Sequence, residues 1–268
     1  MRANRVACST GRAAGLGPTA YAVCVEPIVE PLLTAELIGD RYRRLVARLR
    51  AAAEEAGRDP DGFRVLAVTK GFGLQVVRAA REAGLSSFGE NRVQEALPKV
   101  AAHPDADWHL VGRLQSNKVR PALAAFGTIH SVDSLDLLRR LERIAHDDDR
   151  RARLLLEVNL SAEAAKAGFH AERFTIESRR RGELAAALAN ARHAPVIGLM
   201  TMARDGDTPA EARATFGRLR RLRDALQQAS GLALPELSMG MTADAEAAVG
   251  EGATLVRIGT GLFGPRPA

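Results

Sequence analysis

Cysteine is nearly absent from this 268-residue chain: there are two, Cys8 and Cys24, and none follows. Neither a disulfide framework nor a cysteine-ligated metal site is therefore available to the body of the protein, which suits a reducing cytosol. Aromatic residues are scarce too, at 4%, with one Trp and two Tyr. That argues against a platform for single-stranded nucleic acid, which needs exposed rings for bases to stack on. The six histidines show neither the H-x3-H nor the H-E-x-x-H spacing of a metal site. No apolar run approaches the ~18 residues of a membrane span. A secretory signal is also missing its parts. Gly15, Gly17 and Pro18 interrupt the apolar stretch from Ala13 to Val25, and Glu26, Pro27, Glu30 and Pro31 stand where a small-residue cleavage site belongs. The expectation is a cytoplasmic globular protein that binds no metal and enters no membrane.

What is present supports a large packed core: 46% of residues are hydrophobic and 26% charged. The net charge is +6 and the isoelectric point about 10.0, which keeps a basic anion- or nucleic-acid-binding module open as an alternative. The charge is mostly arginine interspersed with Glu and Asp, and its densest run, Arg179-Arg180-Arg181, reads as a solvated helix face. Residues 1–33 lack helical or strand periodicity and read as a disordered extension, or as sequence upstream of the true start. No repeat or linker divides residues 34–268, so they are expected to form one domain.

From Thr34 onward, apolar periodicity predicts a first helix to Ala56, capped by Thr34 and ended by Gly57. Short apolar segments then alternate with helical ones. The predicted strands are Val65–Thr69, Ser87–Gly89, Trp108–Val111, Thr128–Ser131, Leu154–Asn159, Val196–Met200, Glu236–Ser238 and Leu255–Ile258. The predicted helices between them are Leu74–Ala83, Val93–Ala101, Asn117–Phe126, Leu135–His146, Ile176–Ala191, Pro209–Ala229 and Ala243–Gly250. Eight buried strands with seven intervening helices predict a parallel α/β protein, a single (β/α)8 TIM barrel. An open doubly wound sheet is the alternative, because the second and seventh strands are short.

A barrel places its site at the C-terminal ends of its strands. Lys70 closes the first strand, where an ammonium must find a counter-charge, reach water or lose its proton. Desolvation lowers a lysine pKa and makes the amine a nucleophile toward aldehydes. The other strand ends supply Asn91, His109, Asn159, Ser238 and Arg257, whose side the alternation leaves open. Gly259, Gly261 and Gly264 match G-x-G-x-x-G, but the chain offers no acidic ribose partner ~20 residues further on. Small residues before a helix still let N–H groups approach one phosphate, and barrels often bind phosphate after their last two strands. Ser238 is read as a hydroxyl for that site. The longest loop after a strand, Ser161–Phe169, carries Lys166 over the mouth. His109 belongs to no recognisable catalytic arrangement in sequence and reads first as a hydrogen-bonded core histidine.

A strand-one lysine with a distal phosphate cradle suggests pyridoxal 5′-phosphate, and the chain resembles the pyridoxal phosphate homeostasis protein family. The matching segments are LAVTK (66–70), FGENRVQE (88–95), WHLVGRLQSNK (108–118), HSVDS (130–134), EVNLSAEAAKAGF (157–169), GLMTMA (198–203) and LSMGMTADAEAAVGEGATLVRIGTGLFGPR (237–266). The resemblance implies a single barrel of pyridoxal phosphate fold-type III, like the alanine racemase N-terminal domain but without a second β domain. It implies that Lys70 is the Schiff-base lysine. Ser238, Gly259 and Thr260 would bind phosphate, and Arg257 would face the pyridine nitrogen. Asn91, His109, Asn159 and Met200 would line the pocket, with Lys166 as the loop lysine. It implies a non-catalytic protein, expected monomeric, that buffers the cofactor or delivers it to apo-enzymes. A low-efficiency amino-acid racemase is the rival, and the apparent lack of residues for a second domain with a tyrosine base weighs against it. Phe72 and Gly73 depart from the lysine or proline that many members carry after the Schiff-base lysine.

Overall fold

The computed structural model describes residues 33–160, 167–171 and 178–266. The expected extension over residues 1–33 lies outside these except for Leu33, which packs against the hydrophobic core. Lys166 also lies outside the described residues.

Helix α1 (Ala35–Glu55) begins where the Thr34 side chain accepts the Leu37 N–H at 3.3 Å, satisfying one of the donors that a helix start leaves open. Ile38, Leu45, Leu49 and Ala53 lie buried on one face. Eight strands follow in a ring: β1 (Arg64–Val68), β2 (Ser87–Glu90), β3 (Asp107–Leu110), β4 (Thr128–Val132), β5 (Arg153–Asn159), β7 (Val196–Met200), β8 (Glu236–Ser238) and β9 (Leu255–Ile258). Every neighbouring pair is parallel. The β4–β5 and β9–β1 pairings close the sheet on itself, so the barrel holds and the open sheet is excluded.

The connecting helices are α2 (Leu74–Glu82), α3 (Val93–Ala102), α4 (Val119–Ala125, preceded by a single 3-10 turn), α5 (Leu135–Asp147), α6 (Ser178–Asn190), α7 (Pro209–Ser230) and α8 (Ala245–Gly250), with α9 (Thr260–Phe263) after the last strand. One strand was not expected. β6 (Phe169–His170) lies in what reads as a loop and pairs with the end of β5. Two residues are too few to show a period.

Strand alternation sorts the side chains into two layers. Ala67, Phe88, Trp108, Leu110, Ile129, Leu154, Leu199, Val256 and Ile258 point outward into one core shared with the helices. The inward set includes Leu66, Val68, Leu155 and Leu255, all buried. It also includes buried polar groups that a barrel of branched aliphatics would lack, His109, His130, Ser238 and Arg257. At the N-terminal end of the barrel, first residues of strands pair: Arg64 with Glu236, and Arg153 with Asp107.

Candidate functional site

Alternation along β1 directs Lys70 inward, over the C-terminal mouth, and Thr69 outward. The Thr69 hydroxyl donates to Glu90 Oε1 at 2.6 Å, and Lys99 Nζ donates to both the Thr69 carbonyl (2.9 Å) and Glu90 Oε1 (2.6 Å). This ion pair between the end of β2 and α3 is buried on both sides, and it pins the backbone immediately before Lys70. Gly71 turns the chain at φ 77°, and a Cβ there would stand 2.9 Å from Arg266 Cδ. Phe72 then packs on Phe263 of α9, with ring centroids 5.5 Å apart. The Lys70 amine is half-buried. Desolvation, with Arg266 and Arg257 adding repulsion, holds it below the usual lysine range. Among the described residues no carboxylate pairs with it. It is a positioned amine whose charged form is disfavoured by its surroundings.

The register Ala67↔Ile258 sets Gly259 and Thr260 across from the end of β1, beside Lys70. Here α9 begins, and the first N–H groups of a helix have no acceptor within it. The Gly261 N–H donates to Thr242 Oγ1 at 3.2 Å, and Thr260 Oγ1 lies 3.2 Å from the same oxygen. A Cβ on Gly261 would come within 3.0 Å of Thr242 Cγ2. The cradle therefore consists of the Gly259–Gly261 turn and the hydroxyls of Thr260 and Thr242. Thr242 is a second hydroxyl beside this turn that sequence reasoning did not single out. It lies in the loop after β8, where a phosphate site is expected, but Ser238 competed for the role from four residues upstream.

Ser238 hydrogen-bonds to Arg257 and His130 and not to the Gly259–Gly261 turn. Fully buried, it sits beneath Arg257, whose Nη1 donates to its Oγ at 2.7 Å, and its hydroxyl also meets His130 Nδ1 at 2.9 Å. Arg257 faces inward, with Nη2 donating to the Thr201 carbonyl at 2.8 Å. Burial pulls its pKa down to about 10, against the favourable charges of Asp244 and Glu157. His109 is likewise no rim residue. It lies within the barrel, bonded to His130 and Asp107 at 2.8 Å each, because it is the third residue of β3 and β3 ends only at Leu110.

Asn159 and Met200 are buried at the ends of β5 and β7, on the inward side. Asn91 follows β2 directly, and its backbone lies so close to Gly112 that a Cβ there would stand 2.3 Å from the Asn91 carbonyl oxygen. Glu157 was overlooked, although it lies two residues before Asn159 and so shares its face. Burial and neighbouring Asp133 hold its carboxyl above the usual range, while Arg257 and Arg113 oppose them. The structure thus brings together Lys70, Arg257, Gly259, Thr260, Asn159 and Met200. His109 lies deeper in the barrel, Ser238 ends β8 hydrogen-bonded to Arg257 and paired in register with Met200, and Thr242, Glu157 and Arg266 join the set.

The basic character of the chain resides elsewhere. Arg113, Arg139, Arg140 and Arg143 line a surface groove with Asp133 and Asp136. Arg113 and Arg139 keep most of their side chains in solvent beside these carboxylates, where ion pairs are screened and weak.

The family model of the alanine racemase N-terminal domain matches residues 41–267. A protein of Pseudomonas aeruginosa named pyridoxal phosphate homeostasis protein is 42% identical over 231 residues, covering 85% of this chain and 96% of that protein. One of the same name from Aquifex aeolicus is 40% identical over 229 residues, covering 85% and 97%. Among solved structures, PipY of Synechococcus elongatus with PLP bound superposes with a TM-score of 0.73 at 41% identity, covering 85% of this chain and all of that one.

Proposed function

The chain belongs to the pyridoxal phosphate homeostasis protein family, and on that premise we propose that it binds pyridoxal 5′-phosphate through Lys70 and buffers or hands on the cofactor without turning over a substrate. The observation that carries this reading is the half-buried Lys70 amine, without a carboxylate partner among the described residues, beside the Gly259–Thr260 and Thr242 cradle. PLP bound to PipY on a chain 41% identical supports it, as do the names of the relatives.

The donor set fits the group. An aldehyde needs a nucleophilic amine, which Lys70 supplies with its lowered pKa. A phosphate dianion needs N–H and O–H donors that it can approach closely, and the Gly259–Gly261 turn with Thr260 and Thr242 supplies them. The cofactor's pyridine nitrogen accepts a hydrogen bond only while unprotonated, and Arg257 carries only donors. When bound, the cofactor supplies an electron sink whose strength grows with protonation of its ring nitrogen. Arg257 stays charged at neutral pH, so it disfavours a second positive charge beside it and weakens that sink. Asn91, Asn159 and Met200 would complete the wall of the pocket, and Lys166 would belong to its loop.

The test is spectroscopic. Incubated with pyridoxal phosphate and dialysed, the protein should keep a visible band that borohydride fixes to the peptide containing Lys70, and Lys70→Ala should lose it. No band, or a label on Lys99 or Lys118 instead, would defeat the assignment. The rival reading, weak amino-acid racemisation, would need an acid–base group, and Glu157, a carboxyl held above its usual range, is the residue on which to test it. Turnover by the loaded protein that Glu157→Gln abolishes would establish it.

A further inference from the structure

The geometry points to Asp107, His109, His130 and Ser238 as a positioning relay that orients the Arg257 guanidinium from the opposite end of the barrel. Five side chains form one hydrogen-bonded line. Asp107 Oδ2 lies 2.8 Å from His109 Nε2, and His109 Nδ1 lies 2.8 Å from His130 Nε2. His130 Nδ1 lies 2.9 Å from Ser238 Oγ, which accepts from Arg257 Nη1 at 2.7 Å. The line starts at the first residue of β3 and ends at the last residue of β8 and the adjoining Arg257. It therefore spans the barrel interior from one mouth to the other.

His109, His130, Ser238 and Arg257 are buried, so donors and acceptors must match within the line. The two ends decide its direction. A guanidinium only donates, and an ionised carboxylate only accepts. Asp107 has both oxygens engaged, Oδ1 accepting from Arg153 Nη2 at 3.0 Å and Oδ2 facing His109 Nε2, so it serves as the accepting end. His109 must then carry its proton on Nε2 and accept at Nδ1. His130 donates from Nε2 and accepts at Nδ1. Ser238 donates its hydroxyl hydrogen to His130 and keeps a lone pair for Arg257. Each hydrogen has one acceptor, and both imidazoles are neutral. The same conclusion follows for His130 from its burial, which pushes its pKa well below the ordinary histidine value.

The reverse polarity leaves a fault. His130 would donate from Nδ1 to Ser238, whose oxygen would receive two donors while its own hydrogen met no acceptor among the described residues. Asp107 thus selects the one arrangement in which Ser238 holds Arg257 without an orphan. Arg153 makes the carboxylate specifically necessary. Its Nη2 donates to Asp107 Oδ1 at 3.0 Å, so an asparagine would keep its carbonyl toward Arg153 and turn its NH2 toward His109.

Imidazole nitrogen-15 spectra of the ligand-free protein test the relay directly. In the wild type, His109 and His130 should both be the Nε2–H tautomer. Asp107→Asn should move both to Nδ1–H, and Asp107→Asn with Arg153→Met, which frees the asparagine carbonyl for His109, should restore them. The Arg257 side-chain N–H groups should exchange with solvent faster in Asp107→Asn than in the wild type. A proton on His130 Nδ1 in the wild type would overturn the relay whether or not any variant folds. So would unchanged tautomers in folded Asp107→Asn, and unchanged Arg257 exchange would remove its positioning role. The significance of Arg257 for the cofactor rests on the proposed function. The spectra need no cofactor, so the two readings fail separately.

Discussion

Lys99→Met should be among the most damaging single substitutions in the chain, although Lys99 touches no ligand. Its ammonium is the cation paired with Glu90, and it also holds the Thr69 carbonyl. Glu90 is 0% exposed, and its second oxygen, Oε2, already lacks a hydrogen-bond partner. Methionine keeps the packing volume and leaves a buried carboxylate alone, a loss that ordinarily costs about 3–5 kcal/mol. The upper end is capped, because a stranded carboxyl can take up a proton instead. Protonating a carboxyl of ordinary pKa ~4.3 costs about 3.7 kcal/mol at pH 7 and about 1 kcal/mol at pH 5. The sign follows: the variant's deficit is smallest near the carboxyl's unfolded pKa and grows as pH rises above it. Urea unfolding of the wild type, Lys99→Met, and Lys99→Met with Glu90→Gln at both pH values measures this. The double variant should recover much of the loss at pH 7. A Lys99→Met deficit below about 1 kcal/mol at pH 7, or one that does not shrink at pH 5, would refute the reasoning that an uncompensated buried charge dominates.

Three further outcomes follow from the site. His130 is buried and held well below the ordinary histidine value, so the unfolded chain takes up a proton there that the folded chain refuses. Stability should fall as pH drops below ~6.5, by up to about 1.4 kcal/mol per unit, and His130→Gln should flatten the slope of the urea midpoint between pH 7 and 5.5. Arg266→Met removes a cation that lowers the Lys70 pKa, so the pH curve for the rate of cofactor uptake, read from the visible band, should move to higher pH. Thr242→Val removes the hydroxyl shared by Thr260 and Gly261. A hydrogen bond to a charged group contributes ~1.5–3 kcal/mol, so affinity for pyridoxal phosphate should drop about tenfold or more. Affinity for unphosphorylated pyridoxal should change little, and an equal loss for both would place Thr242 outside the phosphate site.

The elements were legible because they are built from short-range regularities. Short continuous apolar runs such as Val65–Val68 and Val196–Met200 mark strands to within a residue. Thr34 and Gly57 mark the ends of the first helix by local backbone chemistry. β6 escaped because it exists only through pairing with β5. Lys70 and the glycine turn at 259–261 were legible as chemistry, since an amine at a strand end and small residues before a helix are unusual locally. Glu157 was within reach of the same alternation that exposes Asn159.

What the sequence alone determined, then, is the eight strands with their intervening helices, the lysine at the first strand end and the small-residue turn after the last; closure into a ring came from the β4–β5 pairing. Tertiary structure decided which polar groups meet. His109 and His130 are 21 residues apart, and His130 lies 108 residues from Ser238; no local pattern connects them. Closure of the barrel sets them in one line, and burial then forces each donor onto an acceptor. That is why Ser238 meets both His130 and Arg257, a convergence that no local pattern announces.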